Sequence, residues 1–207
     1  MHDRRAVLVI AGLPGTGKTT LARYLAERYR AMLIAKDTIK EPLLDVLGAA
    51  DRARSRALSD ASFAVLFALA REQLHARGAL VLEGNFRAAE HSAPLAALLA
   101  AAAPHGAVTA CAQVLCRIDE PTRTRRLAAR AGDPARHAGH RDAELAAAST
   151  AAAAPCAASA RPEPAPADAM LELPGERFVF AGFEAGGWGA LRVALDRWWR
   201  AAMRKSR

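Results

Sequence analysis

The sequence predicts a three-layer α/β fold, with a mostly parallel sheet of about five strands covered by helices on both faces. Three observations carry this. Short apolar runs alternate along the chain with longer segments of helical periodicity, as in a parallel sheet joined by helical crossovers. The first apolar run, Val7 to Ala11, leads through Gly12-Leu13-Pro14-Gly15-Thr16-Gly17-Lys18-Thr19 into a helical pattern, so a glycine-rich turn joins a strand to a helix. The 207 residues suffice for one such domain with a real core, and a single domain over 1–207 is expected.

The elements follow in order. Residues 18–30 read as the first helix, with Leu21, Ala22, Tyr24, Leu25 and Ala26 on its apolar face. Residues 31–35 read as a second strand that ends at Lys36-Asp37, and 38–48 as a helix. The longest helical pattern, 51–77, is stopped by Gly78, with a candidate break near Asp60. Residues 79–82 form the third strand, 91–103 a helix closed by Pro104, 108–118 the fourth strand and 119–130 a helix with Asp119 as N-cap. A polar loop rich in Arg and His spans 132–141, and a lid is expected over about 131–142. Residues 141–154 read as helical but are nearly all alanine. They overlap an Ala/Pro-rich insertion, about 145–167, expected to be flexible through its Pro/Ala part. The last strand is placed at 176–181 and the closing helix at 188–203.

Composition sets limits. The chain is 52% apolar, mostly through alanine; such runs, interrupted by prolines and charges, are too weakly hydrophobic to span a membrane. The net charge of +8 and pI of about 10.2 suit a protein that handles phosphates or nucleic acid, and equally an arginine-rich surface with no special partner. The cysteines Cys111, Cys116 and Cys156 lack C-x-x-C spacing and are odd in number, which argues for a reducing compartment. The N-terminus, Met1-His2-Asp3-Arg4-Arg5, leads straight into the first strand without an apolar h-region. The expected location is cytoplasmic.

Gly12, four residues, then Gly17-Lys18-Thr19 is the phosphate-binding pattern G-x-x-x-x-G-K-[ST]. Glycines let the backbone approach an anion closely, and successive N–H groups together with the helix N-terminus supply positive charge. Lys18 is placed to reach β- and γ-phosphate oxygens, and the Thr19 hydroxyl to bind Mg²⁺. Thr20 closes the loop and also reads as a packing or capping residue.

Beyond the loop, Asp37 stands past the second strand, at the ligand-binding end of the sheet. A carboxylate there can take the proton from a hydroxyl attacking the γ-phosphate. The competing reading is a helix cap, since Thr38-x-x-Glu41 fits a capping box and Pro42 fits a first turn. Lys40, one turn on, either holds an acidic group of the acceptor or faces water. Glu83, after the third strand, is either a Mg²⁺ ligand, directly or through water, or a structural carboxylate. Asn85 either binds the acceptor or shapes the turn. Arg123, Arg126 and Arg130 share a helical face, and Arg136, His137, His140 and Arg141 continue the charge. Together they read as a lid neutralising the transferred phosphoryl, or as a solvated basic face. His137-x-x-His140 lacks the further ligands of a metal site.

These residues resemble the small P-loop kinases often labelled AAA family ATPases or predicted kinases, among them polynucleotide 5′-kinases, zeta toxins and chloramphenicol phosphotransferases. The resemblance rests on 12–19, on Lys36-Asp37-Thr38-Ile39-Lys40, on Leu82-Glu83-Gly84-Asn85-Phe86, and on Arg126 through Arg130 to Arg136-His137-Ala138-Gly139-His140. It covers roughly residues 6–142 and implies a P-loop NTPase fold, ATP and Mg²⁺ as cofactors, Asp37 as the base, Lys40 at the acceptor, and Arg126 or Arg130, with Arg136, on the ATP phosphates. It implies a reaction without naming an acceptor. The expected function is transfer of the ATP γ-phosphate to a hydroxyl of a small molecule. The alternatives are a polynucleotide or nucleoside 5′-hydroxyl kinase and a non-catalytic ATP-binding regulatory module. The sequence argues against a GTPase switch, because the single asparagine, Asn85, is followed by phenylalanine and leaves no guanine-reading N-K-x-D motif.

Overall fold

The organising strand is β1, Arg4–Gly12, and its apolar run has no polar face. Val7, Val9 and Ala11 point into one core, and Ala6, Leu8 and Ile10 into the other. All six are at most 3% exposed. A strand buried on both faces belongs at the centre of a sheet sandwiched by helices. The computed structural model, which describes residues 4–48, 51–101, 108–134, 137–140, 142–152, 171–183 and 186–204, shows this arrangement.

After β1 come α1 (Lys18–Tyr29), β2 (Met32–Ala35), α2 (Lys36–Leu47), α3 (Arg52–Arg77), β3 (Ala79–Glu83) and α4 (Ala88–Ala101). They are followed by β4 (Val108–Cys116), α5 (Glu120–Ala131), a 3-10 turn (Ala138–His140), α6 (Asp142–Ala152), β5 (Glu176–Phe180) and α7 (Trp188–Met203). The five strands run in the order β2-β3-β1-β4-β5. Every pairing is parallel, with Leu8 opposite Val81 on one side and Ala112 on the other. This is the P-loop NTPase fold, and its sheet is wholly rather than mostly parallel. The chain leaves β1 for one side of the sheet and later crosses to the other, so a crevice opens at the carboxyl end of β1.

The two cores divide the helices. Phe63, Leu66, Leu74, Leu95 and Leu98 of α3 and α4 pack on one face, and Leu21, Leu25, Leu195, Trp198 and Trp199 of α1 and α7 on the other. The second face is tied by Asp196, which accepts a two-pronged bond from Arg28 at 2.7 and 2.6 Å and a third from the Tyr29 hydroxyl at 3.1 Å. Tyr29 also stacks on Trp199, with ring centroids 4.5 Å apart. The Leu8→Ala substitution should cost about 3 kcal/mol, because the close-packed sheet centre cannot collapse around the lost methyls. Urea unfolding should show an earlier midpoint at unchanged slope; a cost below about 1 kcal/mol would mean that the core relaxes around β1.

Several boundaries differ from expectation. α2 begins at Lys36, two residues early, with Ala35 as its N-cap and no side-chain cap bond. The Thr38–Glu41 capping box therefore does not form, and Pro42 falls beyond the first turn. α3 runs unbroken past Asp60, started by Asp51, which accepts from the Arg54 N–H at 2.7 Å. Residues 145–152, overlapped by the expected flexible insertion, belong to α6, which packs along α5. The Pro/Ala part of that insertion and Cys156 lie outside the described residues. Cys111 and Cys116 are buried free thiols on β4. No helix among the described residues is long and apolar enough to cross a membrane.

Candidate functional site

The crevice at the end of β1 is floored by the loop 12–19. Gly12 has φ 148°, and a Cβ there would stand 2.6 Å from the Cys116 carbonyl oxygen. The loop can leave β1 beside β4 only without a side chain. Thr16 is buried, and its hydroxyl donates to the Leu13 carbonyl at 2.8 Å, so these two shape the loop. Gly17 caps α1 in the left-handed conformation without a side-chain bond. Thr20 is exposed and faces a cavity, and the N-cap position of α1 belongs to Gly17.

Two cavities meet at the loop. One, of about 730 Å³, is lined by Gly15, Gly17, Thr20, Arg23, Arg126, Phe180 and Phe183. The other, of about 260 Å³, is lined by Pro14, Lys36, Asp37, Lys40, Ser55 and Asn85. Lys18, Thr19 and Arg130 line both.

Lys18 is buried; its Nζ donates to the Leu13 carbonyl at 3.4 Å and lies 3.9 Å from Glu83 Oε1. Glu83 is 1% exposed, and among the described residues neither carboxylate oxygen meets a donor at full hydrogen-bond geometry, although the Thr19 hydroxyl is close enough to pull its pKa down. Burial pushes its pKa up; the Lys18 charge beside it works the other way, and the net direction is upward. A buried carboxylate left without donors is costly unless a cation completes it.

Asp37 lies in the first turn of α2, where the helix dipole favours an anion. Lys36 Nζ reaches its Oδ1 at 3.0 Å, and His140 Nδ1 stands 3.8 Å from Oδ2. Burial raises the Asp37 pKa, but the charges of Lys36, Lys18 and His140 and the Lys36 hydrogen bond outweigh it. The carboxyl is held well below the usual range. Lys40 is 8% exposed and donates to Ser55 Oγ at 3.0 Å. Burial, assisted by Lys36, lowers its pKa against the opposing charges of Asp37 and Asp60.

The arginines separate. Arg126 and Arg130 face the larger cavity, Arg130 Nε also standing 3.6 Å from Asp142 Oδ2. Arg123 packs its stem against Gly15 while its guanidinium holds Glu120 at 2.6 Å. Arg136 and Arg141 lie outside the described residues. The histidines engage α2: His137 Nε2 contacts Asp45 Oδ1 at 2.9 Å, and His140 Nε2 contacts Glu41 Oε1 at 2.5 Å.

Sequence reasoning missed the contribution of α3 and of the segment after β5. Arg52, Ser55, Arg56 and Ser59 line the smaller cavity. Their spacing of three to four residues on the opening turns of a long helix was a readable polar stripe. Phe180 and Phe183, which face the larger cavity, gave no signal beyond being aromatic near the last strand.

Comparison with known proteins agrees with this architecture. The AAA_33 family model, described as an AAA domain, matches residues 7–155. A candidate kinase from Chloroflexus aurantiacus J-10-fl superposes with a TM-score of 0.74 at 25% identity, covering 97% of this chain and 100% of that one. The Mycobacterium tuberculosis APS kinase CysC, in complex with AMPPNP and APS, superposes with a TM-score of 0.54 at 18% identity, over 93% of this chain and 96% of that one, a likeness of fold. No curated protein matches the chain at a significant level.

Proposed function

We propose that this chain, which belongs to the AAA_33 family of AAA domains and has the fold of a small P-loop kinase, transfers the γ-phosphate of ATP to a hydroxyl of a small-molecule acceptor. The observation that carries the reading is the junction of the two cavities. Lys18, Thr19 and Arg130 line both, and Asp37 lies only on the smaller side. A nucleotide on the larger side would bring its terminal phosphate to the residues shared with the smaller, where a carboxylate waits for a hydroxyl.

Mg²⁺ fits this site. Glu83 offers buried carboxylate oxygens that no donor among the described residues fully satisfies, with the Thr19 hydroxyl beside them. Among the described residues there is no group of three or more His, Cys, Asp or Glu able to hold a metal unaided, which suits an ion that keeps waters and shares phosphate oxygens. When bound, the ion supplies charge neutralisation at those oxygens. Lys18 and the loop amides hold the phosphates. Arg126, Arg130 and, by the resemblance, Arg136 oppose charge that develops on the moving group.

The smaller cavity suits a compact polar acceptor. Lys40 and Asn85 supply its contacts, Lys40 with a buried ammonium suited to an anionic group. Lys40→Ala should raise the acceptor KM about tenfold with kcat little changed, the mark of binding shared by ground and transition states. A change in kcat alone would remove Lys40 from acceptor binding.

The test is ATP consumption with Mg²⁺ across nucleosides, sugars, nucleotide sugars, aminoglycosides and 5′-hydroxyl oligonucleotides. Acceptor-stimulated turnover on a small molecule supports the proposal. Turnover confined to oligonucleotides selects the nucleic-acid kinase, and nucleotide binding without turnover selects the regulatory module.

A further inference from the structure

One face of α2 is occupied along its length by the 3-10 turn that follows α5. Asp37, Glu41, Leu44 and Asp45 stand at spacings of four, three and one, so they share that face. Each meets the turn. His137 Nδ1 accepts from the Gly139 N–H at 3.0 Å, which leaves its Nε2–H to donate to Asp45. Gly139 lies against Leu44, where a Cβ would stand 2.6 Å from Leu44 Cδ1, so a larger residue there requires the Leu44 side chain to shift. His140, with its side chain 8% exposed, puts Nε2 on Glu41 and Nδ1 toward Asp37. The turn is thus fitted to the helix that carries the candidate base, by three polar contacts and one steric one.

We propose that His140 is a positioning residue for the reaction: by bridging Glu41 and Asp37 it fixes the Asp37 carboxylate toward the acceptor and couples that orientation to the seating of the 137–140 turn. Lys36 Nζ donates to Asp37 Oδ1 at 3.0 Å, and His140 Nδ1 stands 3.8 Å from Oδ2, so His140 in its imidazolium form, donating to Glu41 from Nε2, adds an ion-pair restraint on the second oxygen and limits the rotation of the carboxylate. Loss of that restraint lets it turn, and a misoriented base lowers kcat rather than nucleotide binding. The proposal rests on the kinase reading for its kinetic consequence but not for the bridge.

Two measurements on the full chain separate these. Hydrogen exchange of the 137–145 segment and the start of α2 should rise in His140→Gln and in Glu41→Gln, with the double variant no higher than either. Additive increases, or none, overturn the bridge. On an acceptor that supports turnover, His140→Ala should lower kcat about tenfold while the ATP KM stays within about threefold. In the Asp37→Asn background the same substitution should add less than about twofold, because its effect runs through Asp37. An equal fractional loss in both backgrounds, or an effect confined to the ATP KM, overturns the positioning role. If no acceptor supports turnover, the kinase reading fails, while the exchange result still decides the bridge.

Discussion

Lys18→Ala is expected to lower acceptor phosphorylation by about 10³-fold, the range seen when a preorganised donor to transition-state charge is removed. The structure gives the substitution two consequences. It removes an ammonium common to both cavities. It also deprives Glu83 of the one basic side chain it pairs with among the described residues. Glu83 is already buried with no donor among the described residues at full hydrogen-bond geometry, and its pKa is already raised. Without the lysine it should bind a proton more readily and become a poorer cation donor. Combining Lys18→Ala with Glu83→Gln should therefore recover folding stability relative to Lys18→Ala alone, without recovering turnover. Radiolabelled ATP gives the rate, and urea unfolding the stability. A loss of less than tenfold in turnover would remove Lys18 from the phosphate site.

The parts of this site legible in the sequence were those fixed by local chain geometry. The loop 12–19 is read directly because its glycines, lysine and threonine act through consecutive backbone positions joining one strand to one helix. The order of strands and helices was legible for a similar reason: β1 is apolar on both faces, and α7 begins and ends as its apolar spacing indicates. The start of α2 was not. The second strand ends at Ala35 as expected, but Lys36 and Asp37 read as a junction before a helix from Thr38, whereas the helix begins at once at Lys36. The Lys36–Asp37 pair joins neighbours in the chain, but what sets it at the crevice is the place of β2 in the sheet, which is tertiary and leaves no local mark. Lys40 carries the same lesson. Its partner Ser55 comes from another helix, and only the packing of α2 on α3 brings them together. The pairing of His137 and His140 with acids about ninety to a hundred residues earlier was equally out of reach of spacing rules.

Asp37→Asn should lower kcat by about 10²–10⁴-fold, the usual contribution of a positioned general base, with the ATP KM changed by no more than a few-fold. The reasoning starts from the direction of its pKa. Burial alone would raise it, yet Lys36, Lys18 and His140 hold it well below the ordinary carboxylate range, so the group is a permanent anion at working pH. Such a weak base does not strip a hydroxyl of its proton in the ground state. It orients the hydroxyl by accepting its hydrogen bond and receives the proton late, as the bond to phosphorus forms and the oxygen becomes acidic. Asparagine keeps the shape of the group but loses the charge and can no longer take the proton, while Lys36 is left as a buried ammonium without its partner. The pH dependence carries the sign. A depressed pKa means that Asp37 stays ionised until the pH falls far below neutrality, so it sets no acid limb in the accessible range. Glu83 is shifted the other way by burial, and a bound cation would oppose that shift, so an acid limb from Glu83 should be seen at low Mg²⁺ and recede as Mg²⁺ is raised. An acid limb that persists in the residual activity of Asp37→Asn and disappears in Glu83→Gln fits this assignment. A limb lost in Asp37→Asn instead, or near-normal kcat in that variant, would show that the proton leaves the acceptor by another route.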